Sequence, residues 1–75
     1  MALDQIAFCI LKELDSGAKG VDAIALSCCS GAERMATPRL IWLEGLGMVE
    51  GFGGGAYSIT QLGRQFLELA EKASS

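Results

Sequence analysis

Residues 40–64 read LIWLEGLGMVEGFGGGAYSITQLGR, and the order of events in this stretch decides the fold. A helical run closes at Gly47. Two short β-prone runs, MVEGF and AYSIT, then flank the triplet Gly53-Gly54-Gly55, which is the signal of a hairpin. Thr60 stands where a last helix needs an N-cap. A glycine-rich stretch can instead cradle a phosphate at the start of a helix. Here Gly51, Gly53 and Gly55 precede a strand, and no P-loop lysine follows, so the glycines read as a chain reversal.

Upstream, residues 3–15 carry Leu3, Ile6, Ala7, Ile10, Leu11 and Leu14 at helical spacing. Asp4, Gln5, Lys12, Glu13 and Asp15 fall elsewhere. Ser16-Gly17 ends that helix. AKGV reads as a connector, and Asp22 as the N-cap of a short helix over about Ala23 to Cys29, with Ile24, Ala25 and Cys28 on one face. Two starts are open for the third helix. Ser30 and Glu33 have capping-box spacing, while Thr37 with Pro38 would set an N-cap and N1 pair. Either way a helix covers Pro38 to Leu46, with Leu40, Leu43 and Leu46 along its buried side and Ile41 and Trp42 flanking. The final helix, QLGRQFLELAEKA, has a stripe of Leu62, Phe66, Leu69 and Ala73, with Leu67 and Ala70 beside it; the tail is expected to fray. Three helices, two strands and a helix predict an α+β chain, mainly α. The expected fold is a winged helix–turn–helix: a three-helix core, a two-stranded β-hairpin wing and a C-terminal helix, in one domain over residues 1–75.

At 75 residues the core is small for the surface it must hold. A hydrophobic content of 51% is high for that length and points to self-association. The N-terminal segment lacks a basic region ahead of its apolar residues, and no run of about 18 apolar residues occurs, so the expected location is the cytoplasm. Net charge is −3 and the pI about 4.6, against the basic balance of most nucleic-acid binders. Three cysteines, Cys9, Cys28 and Cys29, with no histidine, argue against both a disulfide framework and a zinc site. Cys9 and Cys28 read as small buried hydrophobes; thiol sensing through Cys28 and Cys29 is the sharper alternative. No cofactor and no metal is expected.

The second half resembles the winged-helix transcription regulators of the MarR and PadR type. The resemblance rests on Leu43-Glu44 followed by Gly47-Met48-Val49, then Tyr57, Ile59, Thr60, Gly63 and Arg64, with Pro38 five residues before Leu43. It covers about residues 36–70. It implies a DNA-binding regulator with a recognition helix at about residues 31–46 lying in a major groove. Arg34, Thr37 and Arg39 would contact base edges or phosphate, Met35 a thymine methyl, and Arg64 a phosphate beside the wing. Terminal helices often pair in such regulators, and Leu62, Phe66 and Leu69 are the expected homodimer surface. The alternative is a winged-helix protein-interaction module. The acidic pI favours it, as does a wing whose only charge is Glu50. Enzyme readings find no nucleophile with an identifiable base, and none is expected.

Overall fold

A computed structural model describes residues 5–74; Leu3 and Asp4, assigned to the first helix from the sequence pattern, and Ser75 of the tail lie outside the described residues. The chain is a small α+β fold, mainly helical. Its elements are α1 (Gln5–Asp15), β1 (Lys19–Gly20), α2 (Val21–Cys28), α3 (Glu33–Gly45), β2 (Val49–Phe52), β3 (Ala56–Ile59) and α4 (Gln61–Ser74). The strands form one antiparallel sheet in the order β1-β3-β2. The AKGV segment is therefore more than a connector. Lys19 pairs with Tyr57 and Gly20 with Ala56, a long-range pairing for which two residues carry no periodicity.

The core is the meeting of α1 (Ala7, Ile10, Leu11, Leu14), α2 (Ile24, Ala25), α3 (Ala36, Leu40, Leu43), the sheet (Val49, Ile59) and Leu67 of α4. The periodic positions of α1 among the described residues face inward as the pattern requires. Two assignments change. Leu46, expected inside, is the C-cap of α3 and 43% exposed. In α4 the inward residues are Gly63 and Leu67, with Phe66 half-buried, while Leu62 and Leu69 face outward.

The stretch from Leu43 to Gly63 is fixed by several interlocking local devices. At the end of α3, the Met48 N–H donates to the Leu43 carbonyl and the Gly47 N–H to the Glu44 carbonyl, each at 3.0 Å. With Gly47 at φ +80 this is a Schellman cap, and the left-handed position is what glycine supplies there. Thr60 joins both sides of the hairpin. Its hydroxyl donates to the Gly47 carbonyl at 2.6 Å and accepts from the Gly63 N–H at 3.1 Å, so one side chain ties the end of α3 to the start of α4. At Gly63 the backbone passes so close to the Met48 carbonyl and the Ile59 side chain that a Cβ would overlap both. In the sheet, Val49 faces Ile59 and Gly51 faces Tyr57, and the Tyr57 ring lies over Gly51, 3.2 Å from where a Cβ would stand. The Gly53-Gly54-Gly55 turn closes with the Gly55 N–H on the Phe52 carbonyl at 3.3 Å.

The first half is built differently. α2 begins at Val21 after Gly20, which provides no side-chain cap, so Asp22 lies in the first turn and is not the N-cap. α3 begins after Ala32, again with no side-chain cap. Ser30, expected to open a capping box, sits at φ +53 in the left-handed region after α2. Thr37 and Pro38 lie within α3. Pro38 has no N–H to give the Arg34 carbonyl one turn back, so α3 lacks that helical hydrogen bond. What joins α1 to α2 is covalent: Cys9 and Cys28, 19 residues apart in sequence, form a disulfide with their Cα atoms 5.8 Å apart. The expectation of two buried thiols is thus overturned, since the helix packing brings together two cysteines whose spacing carries no motif. Cys29 is the remaining free thiol and is buried.

Candidate nucleic-acid interface

α3 buries Ala36, Leu40 and Leu43 against the core, a stripe at i, i+4 and i+7. Helical geometry then turns Arg34, Pro38 and Ile41 to the opposite side, with Thr37 at its margin. Arg34 and Thr37 are exposed, as expected for contact residues. Among the described residues none forms an ion pair or side-chain hydrogen bond with Arg34, so its guanidinium keeps its donors for a partner in solution. Ile41 is 60% exposed and Met35 41%, which gives the face an apolar component beside the single cation. Trp42 is half-buried and packs on the core.

The other two sequence-predicted arginines are engaged by the fold. Arg39 is half-buried, and its Nη1 donates to the Met35 carbonyl at 2.9 Å. It bends back along its own helix, four residues toward the N-terminus. Arg64 lies on α4 with its Nε 3.3 Å from Asp15 Oδ1 of α1, in a shallow cleft shared with Leu67, Glu68 and Glu71. Three carboxylates around one guanidinium make this a poor seat for a phosphate. Lys19 is likewise held at the end of α1, donating to the Glu13 carbonyl (3.2 Å) and to Ser16 Oγ (3.0 Å) and pairing with Glu13 Oε1 at 3.5 Å. Side-chain hydrogen bonding from Ser27 and, after it, the Lys19 charge hold the Glu13 carboxyl below the usual glutamate range.

Glu44, noted from sequence only as half of a Leu-Glu pair, proves to be a positioning residue. Its Oε2 accepts the Gly51 N–H at 3.2 Å, satisfying a donor on the outer edge of β2 and holding the hairpin beside the end of α3. No local signal links residue 44 to residue 51, because the contact exists only once the hairpin has folded back. On α4, Leu62 (49% exposed) and Leu69 (67%) present an outward apolar line. Gln65, Glu68 and Lys72 border Leu69. Phe66, grouped with them from the sequence, packs partly into the core. Among the described residues no three cysteine or acidic side chains converge as a metal site would require, and no helix is long and apolar enough to cross a membrane. Comparison with protein-family models, with curated proteins and with solved structures finds no match for the chain.

Proposed function

We propose that the chain is a winged helix–turn–helix domain of the MarR/PadR-like kind and acts as a cytoplasmic DNA-binding transcriptional regulator. In this reading α2 and α3 are the helix–turn–helix, the β2–β3 hairpin is the wing, and α3 enters the major groove. The observation that carries the reading is the outward face of α3. Its back is fully packed, and it turns Arg34 and Thr37 to solvent, with no ion pair or side-chain hydrogen bond to the Arg34 guanidinium among the described residues. Arg34 would donate to a guanine edge or to phosphate, Thr37 to phosphate, and Met35 would meet a thymine methyl. Arg39 bends back onto its own helix, and Arg64, already paired through its Nε with Asp15, contributes little to phosphate binding in this reading. So few phosphate contacts per subunit bind weakly alone, and the reading requires a homodimer to double them. Leu62 and Leu69 on α4, with the edge of Phe66, are the proposed dimer surface.

Two measurements test this. Duplex affinity in a random-sequence pool falls as salt rises; no binding at about 50 mM salt contradicts the reading. Leu69→Glu, on an exposed position, yields a folded monomer with weaker duplex binding, and an unchanged dimer mass moves the interface elsewhere. One observation favours a second reading, a protein-interaction module: Ile41 and Met35 share the outer side of α3 with Arg34, and the wing's only charge is Glu50. An α3 that binds a protein instead of duplex, and loses it on Ile41→Glu, would select that reading.

A further inference from the structure

α2 is the element least able to hold itself. It has eight residues and no side-chain cap. A helix of that length does not persist alone in water. It buries only Ile24 and Ala25 fully and is tied covalently to α1 through Cys9 and Cys28. Both of those cysteines are half-buried, within reach of a small thiol, whereas the adjacent Cys29 is 6% exposed and takes no part. α2 leads through a four-residue turn into α3, so whatever loosens α2 loosens the support of the face that carries Arg34.

We propose that the Cys9–Cys28 bond is a reversible redox clamp on α2, opened by small-molecule thiols and closed by disulfide-class oxidants. In opening, a reductant thiolate attacks one Sγ. The Cys9–Cys28 bond breaks as a mixed disulfide forms, and the displaced cysteine leaves as a thiolate and takes up a proton. A second reductant thiolate attacks the reductant sulfur of that mixed disulfide, forming the reductant disulfide and releasing the other cysteine as a thiolate, which takes up a proton. Two reductant thiols become one disulfide, and the protein gains two electrons and two protons. In the cytoplasmic setting of the proposed function, on which the direction of signalling rests, thiol buffers keep the clamp open at rest. Oxidation closes it and stiffens α2 and the start of α3.

The test uses the whole chain equilibrated in oxidised or reduced dithiothreitol. Alkylation with mass detection is expected to label no cysteine in the native oxidised protein and one after unfolding. In the reduced protein two label quickly and the third only on unfolding. The oxidised form melts roughly 10–20 °C higher. Hydrogen exchange of the α2 amides rises at least about tenfold on reduction, more than that of α4 around Leu67. Cys9→Ser and Cys28→Ser each reproduce the reduced form and ignore reductant. Three thiols persisting in the oxidising buffer, or equal α2 exchange in both states, overturns the clamp. Protein that shows the exchange difference but binds no duplex in either state retains the clamp and refutes the DNA reading. Protein that binds duplex with α2 exchange unchanged refutes the clamp alone.

Discussion

The two halves of this chain are held by different means. From Leu43 to Gly63 the fold is secured by local, residue-specific devices: the Schellman cap at Gly47, the two-sided hydrogen bonding of Thr60, and the close backbone passage at Gly63. From Gln5 to Ala32 such devices are sparse. Neither α2 nor α3 has a side-chain N-cap, and the helices are held by burial, by Lys19 and Glu13, and by one disulfide. The second half is pinned by single residues with special backbone or hydrogen-bonding roles, and the first mainly by side-chain burial and a covalent link. On the proposed clamp, the first half is where a change of redox conditions alters structure most.

The sharpest way to break the contrast is at Gly63. Gly63→Ala places a methyl group against the Met48 carbonyl and Ile59, and since the obstruction is partly backbone, α4 must shift. Urea unfolding is expected to show a loss of about 3 kcal/mol. Thr60→Ala removes both hydrogen bonds at the junction and is expected to cost about 1–2 kcal/mol; Thr60→Ser retains most of it. In the first half the converse applies: adding a missing device should help. Ala32→Ser supplies the N-cap oxygen that α3 lacks, at a residue already in the extended conformation a cap needs. It is expected to raise stability by about 0.5–1 kcal/mol, and a loss there would mean that the tight packing of Ala32 outweighs capping.

The smallest expected effect is the pH dependence at Glu13. Its folded pKa lies below its unfolded value because Ser27 and Lys19 favour the carboxylate. Its contribution is therefore present above the usual glutamate range and is lost as pH falls through the lowered folded value. Unfolding curves at pH 6 and pH 3 are expected to show Glu13→Gln less stable than the parent at pH 6, with the gap narrowing at pH 3. A constant gap would assign the effect to packing.

The same division explains what could be read from the sequence. The helix end at Gly47, the hairpin around Gly53 to Gly55 and the cap at Thr60 each follow from residues a few positions apart, where turn and cap chemistry is local. The pairing of Lys19 and Gly20 with β3, the contact of Glu44 with Gly51, and the Cys9–Cys28 bond depend on chain segments meeting across the fold, and spacing carries no trace of them. The candidate site divides likewise. The resemblance names Arg34, Thr37 and Arg39 as exposed positions of the recognition helix, and of these Arg34 and Thr37 are exposed while Arg39 is half-buried. The engagement of Arg39 by its own helix and of Arg64 by Asp15 was not legible, since a charge in a sequence does not announce its partner. Leu46 was misassigned because a stripe of apolar residues fixes a face only to within one residue at a helix end, and Phe66, grouped with Leu62 and Leu69, is half-buried where they are exposed.

The central functional claim is that α3 reaches DNA through Arg34 while Arg64 remains committed to the fold. Its most direct test is the salt dependence of duplex affinity for the parent, Arg34→Ala and Arg64→Ala, each checked for an unchanged melting profile. The account predicts that Arg34→Ala weakens binding and lowers the magnitude of the log–log salt slope by about one per subunit, while Arg64→Ala leaves the slope unchanged. Equal slopes for the parent and Arg34→Ala, or a reduced slope for Arg64→Ala alone, would contradict it.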